Sequence, residues 1–250
     1  MDTLLTERHG EVLVVQLNRP ERRNAIDMRL LAELRAVLHE AESDAALRAL
    51  VVTGDERAFC AGQDLKEEEP PEFVAEINAV FNQLEALPMP TVAAIDGWCL
   101  AGGLELALTC DLRVAATEAK IGDWHANINS IGGAGATVRL VRLLGLTRAK
   151  ELVFTGAALD AEQARAFGLV SYCYPRAELR ARAVEHARAM CKADPLTVRY
   201  AKRSLHAAAD LSLAEALDFS LICQERVRLA LDENYAASFA RGRKDKPGRG

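Results

Sequence analysis

Ala101, Gly102 and Gly103 stand just ahead of Glu105 in the stretch IDGWCLAGGLELALTCDLRV, from Ile95 to Val114. An apolar run ends in Asp96-Gly97, a small-residue turn follows, and LELALTC reads as a buried helix. Small residues let a ligand approach the backbone closely, and the first N–H groups of a helix have no internal partner. Such a turn can offer N–H donors, aided by the helix dipole, to an oxygen that becomes negative. Glu105 is then either a favourable first-turn charge or an acid/base held beside an oxyanion site.

Glycine pairs at strand-to-helix turns are common and most carry no chemistry, so a second stretch matters. RAFCAGQDLK, from Arg57 to Lys66, follows the strand-like run ALVVTG. Alone, FCAG is a tight small-residue turn. Paired with the Gly102-Gly103 turn, it could supply a second backbone donor, and two donors converging on one carbonyl oxygen make an oxyanion hole. That convergence depends on the fold.

The elements that must position these turns alternate. EVLVVQL (Glu11 to Leu17), ALVVTG (Ala49 to Gly54), TVAAID after Pro88-Met89-Pro90, and DLRVAA are short apolar runs bounded by turn residues and read as strands. Between the first two, Met28, Leu31, Leu34, Ala36 and Leu38 recur near helical spacing, which predicts a helix over Asp27 to Ser43. This order predicts an α/β fold whose sheet is buried by helices. The acidic EEEPPEFVAE, from Glu67 to Glu76, reads as a solvated loop or helix approach, or as a lid. From Leu179 onward the pattern is almost wholly helical, with start signals at Asp194-Pro195 and Asp210. The expected organisation is a core over residues 1–190 and a helical region over 191–250 that packs on another subunit or on its own chain. The tail RGRKDKPGRG is basic and expected to fray.

A chain of 250 residues, half of them hydrophobic, can bury a substantial core. Its net charge of -5 gives no electrostatic reason to expect nucleic acid or membrane as a partner. Cysteines at 60, 99, 110, 173, 191 and 223 form no CxxC pair and have no histidine at zinc spacing, so neither a metal nor a redox cofactor is expected. Buried free thiols in a reducing cytosol are the expectation. The opening residues lack a signal-type apolar block and no run approaches a membrane span, so the expected compartment is cytoplasmic.

FCAGQDL followed by AIDGWCLAGGLELALTCDLRVA, with LNRPERRNAID upstream and GGAGATVRLVRLLG downstream, resembles the enoyl-CoA hydratase/isomerase (crotonase) superfamily. The likeness runs from about Val12 through LTRAKELVFTGAALDAEQARAFGLV to the helical tail. It implies a core of repeated β-β-α turns forming a spiral, rather than a simple parallel sheet, and a C-terminal helical region that builds a homotrimer, often paired into a hexamer. It also implies chemistry on an acyl-CoA thioester enolate, coenzyme A entering as part of the substrate and no separate cofactor. Carried over by motif, the oxyanion donors are the backbone N–H groups of Gln63 and Gly102. The adenine of CoA falls near Ala61, Asp64 and Leu65, Arg57 and Arg22 near its phosphates, and Phe239 and Lys244 reach it from a neighbouring subunit.

One departure from the family pattern bears on the reaction. Hydratases of the family use two glutamates; one matches Glu105, and an ungapped match places His125 at the other. Histidine can serve as acid or base near neutral pH, or as a structural donor. Asp123 shares a face with His125 if the segment is extended, and is otherwise a turn or cap residue. The position of the dehalogenase nucleophile holds Gly133, which excludes that activity, and isomerase relatives often keep the other glutamate. Three readings follow: hydration of a 2,3-unsaturated acyl-CoA; another crotonase reaction such as isomerisation, hydrolysis or decarboxylation using His125; and an acyl-CoA-binding paralogue without turnover. GGAGAT lacks the spaced third glycine of a dinucleotide site. Trp98, Trp124 and Phe81 are candidates for lining an acyl pocket or for core packing.

Overall fold

The computed structural model describes residues 2–67 and 70–231. They fall in two compact units that divide after Lys192. The first begins with an antiparallel pair, β1 (Leu4–His9) and β2 (Val12–Leu17), followed by helix α1 (Met28–Ser43). Three β-β-α repeats come next. They are β3 (Ala49–Thr53), β4 (Ala58–Cys60) and α2 (Phe73–Ala86); β5 (Thr91–Ile95), β6 (Trp98–Leu100) and α3 (Gly102–Leu108); and β7 (Leu112–Ala116), β8 (Lys120–Gly122) and α4 (Ala136–Leu144). Helix α5 (Leu146–Thr155), β9 (Ala158–Asp160), α6 (Ala161–Phe167), β10 (Tyr172–Tyr174) and α7 (Arg176–Met190) complete the unit.

In every repeat the first strand joins one sheet and the second strand another. The larger sheet runs β1-β2-β3-β5-β7-β10 and the smaller β4-β6-β8-β9. The expected parallel sheet exists: β2, β3, β5, β7 and β10 run parallel to one another. The second sheet, the antiparallel β1 and the short β10 are additions that the strand-like runs did not predict.

Side chains of the large sheet alternate between two cores, as the two-residue period of a strand requires. Val12, Val14, Val51, Val92 and Val114 pack beneath α7 against Leu179, Ala183 and Val184. Val15, Leu50, Val52 and Ile95 face the main core, which α1 enters through Leu30, Leu31, Leu34 and Leu38. Each of those leucines is at most 1% exposed, and burying one contributes about 1.5–3 kcal/mol. Asp27 caps α1 by accepting from the Leu30 N–H at 2.7 Å, satisfying one of the helix's free donors. Phe81 lies wholly within this core, so of its two readings packing is the one realised.

The second unit pairs α8 (Pro195–Ala208) with α9 (Leu213–Leu231). Asp194 caps α8 through the Leu196 N–H at 2.9 Å, as the Asp-Pro signal implies. Helix α9 starts later than the Asp210 signal suggests, where Ser212 and Glu215 bond reciprocally. No helix among the described residues is long and apolar enough to cross a membrane. All six cysteines are free thiols. Burial pushes the Cys60 thiol up to about 12, which makes it an unreactive packing group.

Candidate active site

Two turns, each at the end of a short strand of the smaller sheet, meet at one place. Gly62 and Gln63 follow β4, and Ala101 and Gly102 follow β6. A Cβ built on Gly62 would lie 3.3 Å from the Gly102 nitrogen, and one on Gly102 would lie 3.6 Å from the Gln63 nitrogen. Gly103 presses harder still, because its Cβ would stand 2.0 Å from the Cys60 carbonyl oxygen. Only glycine allows α3 to start this close to the end of β4.

Residues 23–26 staple the first turn in place. The Ala61 N–H donates to the Arg23 carbonyl, Ile26 to Gly62, and Asp64 to Ile26, at 2.7–3.1 Å. These bonds leave the Gln63 N–H free of a protein acceptor among the described residues. Gly102 opens α3, so its N–H has no intrahelical partner. Ala101 ahead of it holds φ at 50°, a left-handed value that costs a residue bearing a Cβ on the order of 1–3 kcal/mol.

Both turns border a cavity of about 500 Å³. Its walls are largely apolar, with Phe73, Ile77, Trp98, Trp124 and Ile131 prominent among them. Among the described residues, Glu105, His125 and Arg23 are its ionisable residues.

Glu105 lies on the first turn of α3 and is 2% exposed. Its Oε1 accepts from the Ala134 N–H at 2.8 Å and the Ala136 N–H at 3.0 Å, at the start of α4. Oε2 is 3.9 Å from His125 Nε2. Burial pushes the Glu105 carboxyl up, against the opposing pull of the two N–H groups and His125. His125 sits in a short 3-10 turn, Trp124–Ile128, directly after β8. Its Nδ1 contacts Asp123 Oδ1. Burial disfavours the charged ring, but the Asp123 hydrogen bond and the Asp123 and Glu105 carboxylates outweigh it, and the net shift is upward.

A sequence profile of the enoyl-CoA hydratase/isomerase family matches residues 7–234. The chain belongs to that family. It is 40% identical to enoyl-CoA isomerase/hydratase fer4 of Mycosarcoma maydis over 88% of its own length and 86% of that protein's. It is 36% identical to the mitochondrial methylglutaconyl-CoA hydratase of Mus musculus, covering 88% of this chain and 73% of that one. Among solved structures, enoyl-CoA hydratase from Bacillus anthracis superposes with a TM-score of 0.91 at 34% identity over 98% of each chain. The chain is therefore a crotonase-type enzyme that acts on an acyl-CoA.

Within this hydratase/isomerase fold, Ala61, Gln63, Leu65, Gly102, Glu105 and His125 all line the cavity. The Asp64 side chain is turned inward, where Arg19 Nη2 meets it at 3.0 Å. Arg22 lies 3.8 Å from the same carboxylate, and Arg57 is exposed on the turn entering β4. Phe239 and Lys244 lie outside the described residues. Trp98 and Trp124, open alternatives in the sequence, are walls of the cavity.

Three contributors escape a reading by motif. Gly132 is packed so tightly that a Cβ would stand 2.6 Å from Glu105 Oε1 and 3.1 Å from His125 Cε1. Arg19 is buried with Nη2 within 3.1 Å of Asp27, Asp64 and Glu67, tying the Gln63 turn to the start of α1. Arg23 reaches the cavity from the same segment that staples the turn. Their only sequence signal was membership of the motifs LNRPERRNAID and GGAGAT.

Proposed function

We propose that the enzyme adds water across a 2,3-unsaturated acyl-CoA, with the Gln63 and Gly102 N–H groups as the oxyanion hole. The observation that carries this reading is the facing pair at the cavity wall, Glu105 Oε2 and His125 Nε2, 3.9 Å apart beside the two converging turns. That gap is wider than a direct hydrogen bond and matches two groups that both address a third atom.

Glu105 acts as base and His125 as acid. A carboxylate raised from its ordinary value is a stronger base near neutral pH, and an imidazole raised by two carboxylates carries the proton it must give. Glu105 Oε2 takes a proton from water as the water oxygen bonds to the β-carbon. The C=C pair moves onto the α-carbon and thioester oxygen, whose charge the two N–H groups stabilise. His125 Nε2 then delivers its proton to the α-carbon. The proton on Glu105 returns to His125 through the next water that enters, so the net change is one water added. Each oxyanion donor is worth about 2.7–4 kcal/mol in the transition state.

The apolar walls support an acyl group without charge at its far end. In this reading CoA passes Ala61 and Leu65, and Arg22 and Arg57 meet its phosphates. Leu213, Leu217 and Leu221 form an exposed stripe at four-residue spacing along α9, which supports assembly into a trimer or hexamer. The free thiols suit a reducing cytoplasm.

Crotonyl-CoA incubated in deuterium oxide and read by mass spectrometry tests the reaction. Water addition with deuterium at the α-carbon is expected. Exchange without addition favours isomerisation or another enolate reaction, and neither across short, branched and cyclic acyl-CoAs favours a binding protein.

A further inference from the structure

We propose that Asp123 is a positioning residue of this site: its carboxylate grips the Nδ1 edge of His125 and so turns Nε2 toward Glu105 and the cavity. The role of His125 as acid rests on the hydration reading, but the grip does not. Asp123 is 1% exposed, and its Oδ1 contacts the imidazole while Oδ2 has no hydrogen-bond partner among the described residues. A buried carboxylate is costly unless it is paired, and the ionic partner of Asp123 here is His125.

The alternative role for Asp123, capping the short turn, is weakly served. Its Oδ1 receives the His125 backbone N–H at 3.4 Å, beyond the usual range for such a bond, whereas the ring contact is close. The end of β8 fixes where Asp123 stands. A Cβ on Gly122 would lie 2.2 Å from the Ala157 carbonyl oxygen, so the strand is pressed against the start of β9 with no room to shift.

The imidazole is thus held between two carboxylates with different tasks. Asp123 meets Nδ1 from the same turn, and Glu105 faces Nε2 from α3. With Nδ1–H committed to Asp123, the ring has one edge left for the substrate. A site with two catalytic glutamates needs no such third group, because a carboxylate has no tautomer to fix; replacing one by histidine creates the need that Asp123 meets.

The test uses the full chain with Asp123→Asn, which keeps an acceptor for the turn and removes the charge. The expected results are a His125 Cε1–H NMR titration moved to lower pH without substrate and kcat reduced about 10- to 100-fold, less than the roughly 10²–10⁴-fold that loss of the acid itself would cost. KM should stay within about threefold, and the alkaline limb of the rate profile should move to lower pH. In a His125→Gln background, adding Asp123→Asn should change kcat less than about twofold, because the partner is already gone. An unmoved titration, or losses that multiply independently, would overturn the proposal. If Asp123→Asn does not fold, Asp123→Ser carries the same readouts. Wild-type protein that fails to hydrate any enoyl-CoA sinks the hydration reading, while the substrate-free titration still decides Asp123.

Discussion

Gly132 stands so close to Glu105 that a Cβ on it would lie 2.6 Å from Oε1. The same Cβ would meet the Ala136 Cβ at 2.9 Å, so a side chain must displace either the carboxylate or the start of α4, whose N–H groups hold it. Gly132→Ala is expected to lower kcat by about tenfold or more, since a misplacement of about 1 Å can cost 10²-fold. Steady-state kinetics on crotonyl-CoA measure this. A variant with unchanged kcat would mean that the segment yields without moving Glu105.

Glu105→Gln keeps an oxygen for the Ala134 and Ala136 N–H groups and removes the base. The expectation is a loss of about 10²–10⁴ in kcat with acyl-CoA affinity nearly intact. Calorimetric titration with a saturated acyl-CoA separates the two effects. Activity close to wild type would remove Glu105 from the mechanism.

The pH dependence of kcat/KM should be bell-shaped. Activity needs ionised Glu105, so its raised pKa moves the acidic limb above the ordinary glutamate range. It also needs protonated His125, so the raised pKa of that ring carries the alkaline limb above the ordinary histidine range. His125→Gln should abolish the alkaline limb along with most of the rate. Rate profiles from pH 4 to pH 10 or so would show both; a rate that climbs through the alkaline range contradicts the assignment of His125 as acid.

Arg19→Met should destabilise the fold by about 3–5 kcal/mol, because Asp27 would be left buried without its cation and Asp64 with only Arg22 at 3.8 Å. Urea unfolding of the variant gives the number. Loss below about 1 kcal/mol would show that the two carboxylates find water instead.

Gly103→Ala tests the contact between the two turns. A Cβ 2.0 Å from the Cys60 carbonyl forces α3 away from β4. The cost should be about 1–3 kcal/mol of stability, with a fall in kcat as the Gln63 and Gly102 donors separate. Stability loss without any kinetic effect would mean that the donors do not depend on this contact.

The sequence by itself determined four strands of the large sheet, β2, β3, β5 and β7, together with the helix from Asp27 to Ser43 and the two small-residue turns. Val12 to Leu17 and Ala49 to Thr53 were legible because a strand buried on both faces must be a short apolar run. Glu105 stood out as an acid in an apolar helix. The motifs around it were enough to resemble a family, and the family's positions picked out Gln63, Gly102 and His125.

Tertiary structure alone decided the rest. Strands of three residues, such as Ala58–Cys60 and Trp98–Leu100, are too short to show a period, so the sheet that brings the turns together was legible only through the β-β-α repeats that the family resemblance implied. Phe81 and Trp124 are both aromatic, yet one fills the core and the other a cavity wall, a choice made by neighbours distant in the chain. Glu105 is 29 and 31 residues from the backbone donors that hold it. The two-residue spacing of Asp123 and His125 fits an extended strand or a cap; the structure uses a cap turn in which the side chains nonetheless touch. Hydrogen bonds and burial act on whatever the fold brings within a few ångströms, and that proximity is a property of the packed chain, not of residue order.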